Sequence, residues 1–389
     1  MKLLPFDYAI RNLGRSPKRL ALVASGSALV SLLVLGAVAF ARGMESAFSA
    51  SGLETNALVL GSGSEESIER SEIPPSTAGI LAASVEGLAV FAGRPVVSPE
   101  IVVALPVEVS RERTEGDTLE TAPPILVRGF EQMAFIAHPQ LRLVEGRWPT
   151  SGSDEITAGR EALAKLGGGS PGDTVLIAGV PFEITGIFDA HGTAMHGELW
   201  MQLDRLSQLT QRTTHSCVVV ALGAAEFDDI EAFTASRLDL ETIAMRESAY
   251  YKQLNAFFAP IRMLVIATAL LVSSGGVLGG INAMYAAFSS RVREVGTLQA
   301  LGFSRGAIAL SLITESTVAC IGGSLAACVV GRIVLDGIAV RFSMGSFGLT
   351  VDAQGILAAL LAGTLLGIIG ALPAILRSLS LSIPTALRS

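Results

Sequence analysis

Four long apolar stretches constrain what this chain can fold into more than any other feature of its sequence. Residues 20–41, 263–290 and 353–376 carry no charged side chain at all. Residues 306–331 contain one ionisable group, Glu315. About 20 apolar residues in a helix are enough to cross the hydrocarbon core of a bilayer. Each stretch is therefore long enough to span a membrane.

Two other interpretations fit these stretches less well. Helices buried in a soluble protein are amphipathic, whereas these stretches are apolar on every side. Only 16% of the chain is charged, against about 25% in soluble domains. The first stretch could be a signal peptide, because Ala39-Phe40-Ala41 resembles a cleavage site, but its apolar run exceeds the roughly 7 to 15 residues of a signal core. The predicted transmembrane helices are residues 20–43, 260–290, 306–331 and 353–376.

The middle of the sequence and the rest of it differ in charge. Residues 44–259 contain 30 acidic and 14 basic side chains, whereas the rest contains 5 acidic and 14 basic ones. Lys and Arg accumulate in short loops on the cytoplasmic side, so we predict an inner-membrane protein with both termini inside and an extracytoplasmic domain over residues 44–259. The net charge of −7 argues against a nucleic-acid partner. The remaining segments are a cytoplasmic amphipathic helix 1–19, a cytoplasmic segment 291–305, an external loop 332–352 and a cytoplasmic tail 377–389.

The predicted external domain mixes strands with helices. Runs rich in Val and Ile and bounded by Gly or Pro indicate strands, and helical patterns lie between them. The predicted strands are residues 101–109, 125–130, 174–178, 182–188 and 217–222. The predicted helices are residues 76–84, 157–166, 203–210 and 225–238. We therefore predict a membrane α-helical protein with four transmembrane helices and an inserted α+β domain.

No pattern in the sequence indicates catalysis or a resident cofactor. His191, His196 and Glu198 could suggest a metal, but the two histidines lack the i, i+4 spacing that places zinc ligands on one helical face. A polar loop is the simpler interpretation. The run Gly167-Gly168-Gly169 lacks the Lys-Ser/Thr of a phosphate-binding loop, and no GxxxxGK[ST] pattern occurs in the sequence. We expect ATP and Mg²⁺ to be bound by a partner rather than here.

Two features inside the predicted spans are candidates for helix packing or function. Gly275 with Gly279, and Gly276 with Gly280, form overlapping GxxxG pairs, which allow helices to approach closely within a chain or in a dimer. Glu315 is an intramembrane carboxylate, which is a functional candidate. A hydrogen-bonded structural role for Glu315 is an equal alternative.

The cytoplasmic segment between the second and third spans has its own pattern. Val292, Val295, Leu298 and Leu301 recur at every third position and predict a short helix. Gly302 suits its C-terminal end, and a serine two residues later can cap the following helix. A short basic helix between two spans is a plausible docking surface for a cytoplasmic partner.

The same segment resembles a known family. The run Arg293-Glu294-Val295-Gly296, then Leu298-Gln299-Ala300-Leu301-Gly302, Ser304-Arg305 and Glu315, is similar to the REIGxLRALG…SR…E signature of FtsX/MacB-type ABC transporter permeases. The sequence Ile383-Pro384-Thr385-Ala386-Leu387-Arg388 resembles their closing xxPxxALR, and Val127-Arg128-Gly129-Phe130 resembles their extracytoplasmic core domain. Gln299 departs from the family, which more commonly has Arg there.

This resemblance implies a permease without a fused ATPase. It would bind two copies of a separate ABC ATPase, form a homodimer or a heterodimer with a paralogue, and contact a periplasmic adaptor or a lipoprotein through a porter/sabre-like domain. ATPase motion would pass through residues 291–305, the only predicted cytoplasmic piece that links two spans directly. The predicted coupling residues are Arg291, Arg293, Glu294, Gly296, Leu298, Leu301, Gly302 and Arg305.

Two classes of function follow from the resemblance. The first is a subunit for export, extrusion or lipoprotein release. The second is a transmembrane signalling permease that activates an external partner such as a cell-wall hydrolase.

Overall fold

The computed structural model describes residues 17–109, 124–190, 192–289, 292–342 and 345–380. The chain divides into two compact units, which we describe separately. The membrane unit comprises the chain up to Arg42, Ala259–Ile338 and the chain from Leu349. The inserted unit comprises Gly43–Phe258 and Ala339–Gly348.

The described residues form eleven α-helices, fourteen strands and two short 3₁₀ turns. The helices are α1 (Pro17–Ser51), α2 (Thr77–Ser84), α3 (Ala134–Ala137), α4 (Arg160–Lys165), α5 (Leu203–Thr210), α6 (Phe227–Ser236), α7 (Glu247–Phe257), α8 (Ala259–Ser289), α9 (Val292–Ala300), α10 (Arg305–Val334) and α11 (Ala353–Ser380). The strands are β1 (Asn56–Gly61), β2 (Val90–Phe91), β3 (Arg94–Pro95), β4 (Val97–Val109), β5 (Pro124–Phe130), β6 (Arg142–Gly146), β7 (Glu155–Gly159), β8 (Thr174–Ile177), β9 (Val180–Asp189), β10 (Leu199–Gln202), β11 (Cys217–Ala221), β12 (Thr242–Arg246), β13 (Ala339–Phe342) and β14 (Gly345–Gly348). The 3₁₀ turns are Ala194–Gly197 and Leu238–Leu240.

Four of these helices are long and apolar enough to cross a membrane, as the sequence predicts. The candidate spans are Leu20–Ser51, Ala259–Ala286, Arg305–Val334 and Ala353–Arg377. Helix α1 continues beyond the predicted end of the first span at residue 43, without a break to Ser51. Most of the predicted amphipathic helix (residues 1–16) and of the tail (residues 381–389) lies outside the described residues.

Three spans of the membrane unit are held together by buried serines. The Ser27 hydroxyl donates to the Cys320 carbonyl at 2.8 Å, which joins α1 to α10. The Ser31 hydroxyl lies 2.8 Å from the Ser324 hydroxyl and 3.0 Å from the Ala359 carbonyl, which adds α11. Hydroxyls that bond across helices are one of the forces that associate spans where no water competes.

Helix α8 is attached less extensively than the other three spans. Only 6% of the apolar stretch of α8 is buried against other residues, compared with 28% to 39% for the other three spans. A Cβ added to Gly276 would lie 2.6 Å from Val30 Cγ2 on α1, and one added to Gly280 would lie 3.2 Å from a Leu366 methyl on α11. These two glycines therefore let α8 approach α1 and α11 closely.

The inserted unit is built on one ten-stranded sheet among the described residues. Its order is β12-β1-β11-β4-β5-β10-β7-β9-β6, and β8 pairs with both β4 and β9. The long strand β4 joins its two halves, because it pairs first with β11 and then with β5 and β8. The predicted strands all occur, and the predicted α+β class is confirmed.

One predicted helix begins in the wrong place. The helix expected over residues 157–166 occurs only as α4 over Arg160–Lys165, because residues 157–159 belong to strand β7. Residues 156–159 are buried, because β7 lies between β10 and β9 in the sheet. Pairing on both edges outweighs the helical pattern of the local sequence, since strand formation depends strongly on context.

The two faces of the sheet bury different side chains. Successive strand residues point to opposite faces. Val127 and Leu199 therefore contribute to the aliphatic core on one face. Their neighbours Arg128 and Trp200, which are directly paired in the sheet, lie on the other face, where Trp200 packs with Phe130 and other aromatic residues.

Candidate functional site

The predicted coupling segment folds as the sequence indicates. Helix α9 ends in a Schellman motif, in which Phe303 N donates to Leu298 O at 3.2 Å and Gly302 N donates to Gln299 O at 3.0 Å. Gly302 has φ +90°, a conformation that favours glycine. Ser304 then caps α10, because its hydroxyl accepts a hydrogen bond from Ala307 N at 3.3 Å. A short hydrogen-bonded turn thus connects α9 to α10.

The apolar residues of this segment face in different directions. Val295 is 4% exposed and belongs to an apolar cluster with Ile308 and Ile375 of the neighbouring helices, against which Leu298 also packs. Leu301 is 64% exposed. Leu298 thus fastens α9 to its own bundle, and Leu301 remains a large exposed apolar side chain.

The remaining predicted coupling residues differ in their exposure. Arg293, Glu294 and Arg305 are exposed, and Gly296 is buried. Arg291 lies outside the described residues.

The intramembrane candidates also take distinct positions. Glu315 is 7% exposed and lies inside the membrane unit. Gly276 and Gly280 pack within the chain, whereas a Cβ on Gly275 or Gly279 would meet no described atom within 4 Å. A role for Gly275 and Gly279 in a dimer stays a prediction.

A second candidate site, which the sequence did not indicate, is a cluster of buried charges in the inserted unit. Its charged members come from five elements or their flanks and are at most 3% exposed. They are Glu100 of β4, Arg128 of β5, His138 after α3, Glu198 before β10 and Glu247 at the start of α7. Isolated charges are costly in a protein interior, so their arrangement requires close pairing.

Arg128 is the centre of this cluster. Its Nη1 donates to Glu100 Oε2 at 2.6 Å, and its Nε and Nη2 donate to both oxygens of Glu198 at 2.7 and 2.8 Å. The guanidinium also lies 5.5 Å from the Trp200 ring. Trp200 Nε1 donates to Glu198 at 2.9 Å. One planar cation therefore satisfies two buried carboxylates.

His138 connects this centre to a third carboxylate. Its Nε2 is 2.8 Å from Glu100 Oε1, and its Nδ1 is 3.8 Å from Glu247 Oε1. Glu247 Oε2 accepts hydrogen bonds from Leu53 N at 3.0 Å and from Asn56 Nδ2 at 2.9 Å. The row Glu100–His138–Glu247 thus links β4 to the segment that follows α1.

Burial and charge oppose each other in the pKa values of this row. Burial would raise the pKa of Glu100, but the charges of His138 and Arg128 hold it at about 2. Burial would lower the pKa of His138, but the charge and hydrogen bond of Glu100, together with Glu247, raise it above its ordinary value. Burial raises the pKa of Glu247 despite the opposing charge of His138. The row therefore favours a charged imidazole.

In the structure, His196 and Glu198, the residues of the metal alternative, have other partners. His196 Nδ1 accepts a hydrogen bond from Ala190 N at 3.1 Å, and Glu198 is bound to Arg128. His191 lies outside the described residues. Among the residues that are described, no group of His, Cys, Asp and Glu is placed to hold a metal ion.

The four candidate spans and the α+β domain inserted after the first long helix are typical of a polytopic membrane protein. Residues 20–236 match the family model of the MacB-like periplasmic core domain, and residues 264–383 match that of the FtsX-like permease C-terminal domain. The chain belongs to the MacB/FtsX-like family of ABC transporter permeases. That family implies an ABC ATPase as partner, and the periplasmic core domain indicates an inner-membrane protein with an extracytoplasmic domain.

Individual relatives are distant. The chain is 23% identical over 215 residues to the macrolide export ATP-binding/permease protein MacB of Vibrio parahaemolyticus, which covers 52% of this chain and 33% of that protein. The chain thus spans about a third of that relative's length. The periplasmic region of MacB from Actinobacillus actinomycetemcomitans matches with a TM-score of 0.39 at 14% identity, covering 52% of this chain and 93% of that one. The extracellular domain of the transporter YknZ from Gram-positive bacteria matches with a TM-score of 0.35 at 19% identity, covering 49% of this chain and 99% of that one.

Proposed function

We propose that this protein is the transmembrane subunit of an ABC complex for export, extrusion or lipoprotein release. A separate ATPase, in two copies, binds ATP and Mg²⁺ on the cytoplasmic side. The permease forms a dimer with itself or a paralogue. Its motion passes to the inserted unit, which serves as the porter/sabre pair outside and contacts an adaptor or a lipoprotein.

The geometry of α9 and its turn supports this proposal most directly. Helix α9 packs on the membrane unit through Val295 and Leu298, and the turn at Gly302 joins it to α10. A force applied to α9 therefore acts on α10 without a flexible loop between them. The exposed Leu301 offers an apolar anchor, and buried apolar anchors can carry 2 kcal/mol or more of an interface's binding free energy.

The matching experiment compares single variants of the full chain, reconstituted in lipid with the ATPase that co-purifies with it. Leu301→Asp should abolish ATPase binding, because it places a charge where the partner is expected to bury a side chain. Arg305→Ala is the control, since it removes a charge from the same turn and should weaken binding only modestly. Full ATPase binding and normal ATP turnover by Leu301→Asp would rule out this segment as the coupling helix.

The signalling alternative makes a different prediction for the same reconstituted complex. A transporter subunit releases or moves a substrate when ATP is hydrolysed. A signalling permease only changes the binding or activity of an external partner protein. Measuring both outputs with wild-type chain and an inactive ATPase separates the two functions.

A further inference from the structure

We propose that His138 and Glu247 form a proton-dependent latch that holds both chain ends of the inserted unit to its sheet. One end is the segment that follows α1, and the other is the first turn of α7. The latch is independent of what the complex transports, and it is closed when His138 carries its second proton.

The position of Glu247 makes it a junction between the two chain ends. It is the first residue of α7, where a negative charge suits the helix dipole. Its carboxylate accepts from Leu53 N and from Asn56 Nδ2. The same Asn56 amide donates to Ala137 O at 2.8 Å, next to His138. One 1%-exposed carboxylate therefore holds the chain that leaves α1 and the chain that begins α7.

His138 decides whether this carboxylate is compensated. The donors from Leu53 and Asn56 are neutral, and among the described residues the positive charges that act on the row are His138 and Arg128. Arg128 is bonded to Glu100 and Glu198. A charged His138 leaves two positive and three negative groups in the cluster, whereas a neutral one leaves one positive and three negative. The second arrangement is much more costly in a buried site.

The geometry leaves room for this interaction to tighten. His138 Nδ1 lies 3.8 Å from Glu247 Oε1, which is longer than a hydrogen bond. Within the described residues, Nδ1 has no hydrogen-bond partner. A charged imidazole donates from both nitrogens, so Nδ1–H gains an acceptor when it moves towards Glu247 Oε1. The described groups near the row also include the Cys217 thiol and the Tyr251 phenol, which are neutral at ordinary pH because burial raises the pKa of each.

The sign of the pH dependence follows from the two pKa directions. The pKa of His138 is raised, chiefly because Glu100 outweighs its burial, so the pairing is complete below the ordinary value near 6.5 and is lost as pH rises through the raised value. The pKa of Glu247 is raised by burial, so acid neutralises it earlier than an exposed glutamate. The latch needs a charged His138 and an ionised Glu247, so it opens on the alkaline side as pH rises through the pKa of His138, and on the acid side as pH falls through the pKa of Glu247.

Trp200 provides a direct reporter of the His138 proton. The two rings are 5.9 Å apart at 87°, and a charged imidazole quenches indole fluorescence more strongly than a neutral one. The Trp148→Phe variant of the full chain in lipid nanodiscs leaves Trp200 as the only tryptophan. Its fluorescence should increase with pH at a midpoint above 6.5. The increase should disappear in His138→Gln and persist in His215→Gln, the control.

Hydrogen exchange measures the opening itself. Amide protection in residues 49–57 and 244–252, corrected for the intrinsic pH dependence of exchange, should fall as pH rises through the fluorescence midpoint. Each unit by which the pKa of His138 is raised corresponds to roughly a tenfold change in the latch equilibrium. Glu247→Gln should keep the protection and lose its pH dependence, because its amide oxygen still accepts both hydrogen bonds.

Two results would overturn the proposal. One is a Trp200 midpoint at or below 6.5, or an increase that survives His138→Gln. The other is protection of both segments that is independent of pH in the wild-type chain. If His138→Gln does not fold, Glu247→Gln still tests the latch. None of these measurements requires the ATPase, so they stand apart from the test of the proposed function.

Discussion

Replacing Arg128 with methionine should destabilise the inserted unit severely, and the structure indicates by how much. Methionine has a similar length but cannot compensate Glu100 and Glu198, which are 0% and 2% exposed. Removing one partner of a buried ion pair costs about 3 to 5 kcal/mol. For a unit of roughly 200 residues, each kcal/mol lost from the free energy of unfolding lowers the thermal unfolding midpoint by about 2 to 4 °C. Arg128→Met should therefore melt roughly 6 to 20 °C below the wild type.

The chain provides a matched control in the same unit. Arg147 also binds one carboxylate through two nitrogens, with Nη1 and Nη2 at 2.8 and 2.7 Å from the oxygens of Glu155. Its side chain is 55% exposed, so water screens the pair and rehydrates Glu155 when the arginine is lost. The thermal unfolding midpoint of Arg147→Met should therefore equal that of the wild type within the error of the measurement.

Cys217 allows the unfolding of this unit to be measured in the full chain. It is a free cysteine in β11 with no exposed surface. With Cys320 and Cys328 replaced by alanine, thiol labelling against temperature reports exposure of the sheet interior. The reasoning fails if Arg128→Met and Arg147→Met shift the labelling midpoint equally, because burial would then not determine the cost of losing the cation.

Further predictions concern the turn, the membrane unit, the orientation and the acid limb of stability. Gly302→Val should retain ATPase binding but reduce coupled ATP turnover, because a β-branched residue is strained at φ +90°; loss of binding in a pull-down would contradict this. Gly276→Leu should lower the unfolding temperature of the membrane unit in detergent, because the new side chain collides with α1. Gly279→Leu should leave that temperature unchanged and weaken the dimer on size-exclusion chromatography. An unchanged dimer would refute a dimer role for the Gly275–Gly279 face. A cysteine at Ser64 should react with an impermeant thiol reagent in intact cells or spheroplasts, and labelling only after lysis of the inner membrane would reverse the proposed topology. Burial would raise the pKa of Glu100, but His138 and Arg128 lower it to about 2. The stability that Glu100 contributes is therefore complete above its ordinary pKa near 4.5 and falls as pH decreases towards 2. A Glu100→Gln variant whose stability has the same dependence on acid pH would disprove this assignment.

Local patterns in the sequence were sufficient to predict the four candidate spans, many strands and the turn after α9. An apolar run of 20 residues specifies a membrane helix wherever it lies, because its length is matched to the bilayer and not to another part of the chain. The end of α9 is similar, since Gly302 and Ser304 supply their own turn and cap. Strand β7 was missed because its pairing with β10 and β9 is not visible in its own residues.

The charge cluster could only be recognised from the tertiary structure. Arg128 within the apolar strand 125–130 indicated that a buried charge needs a partner. Its partners Glu100 and Glu198, however, are 28 and 70 residues away in the chain. His138 and Glu247 are more than a hundred residues apart in the sequence. Such contacts depend on the register of β4, β5 and β10, which every side chain of the sheet helps to determine. The orientation of Leu298 and Leu301 was likewise decided by packing against α10 and α11, because a short amphipathic helix has no buried face until a neighbour covers one.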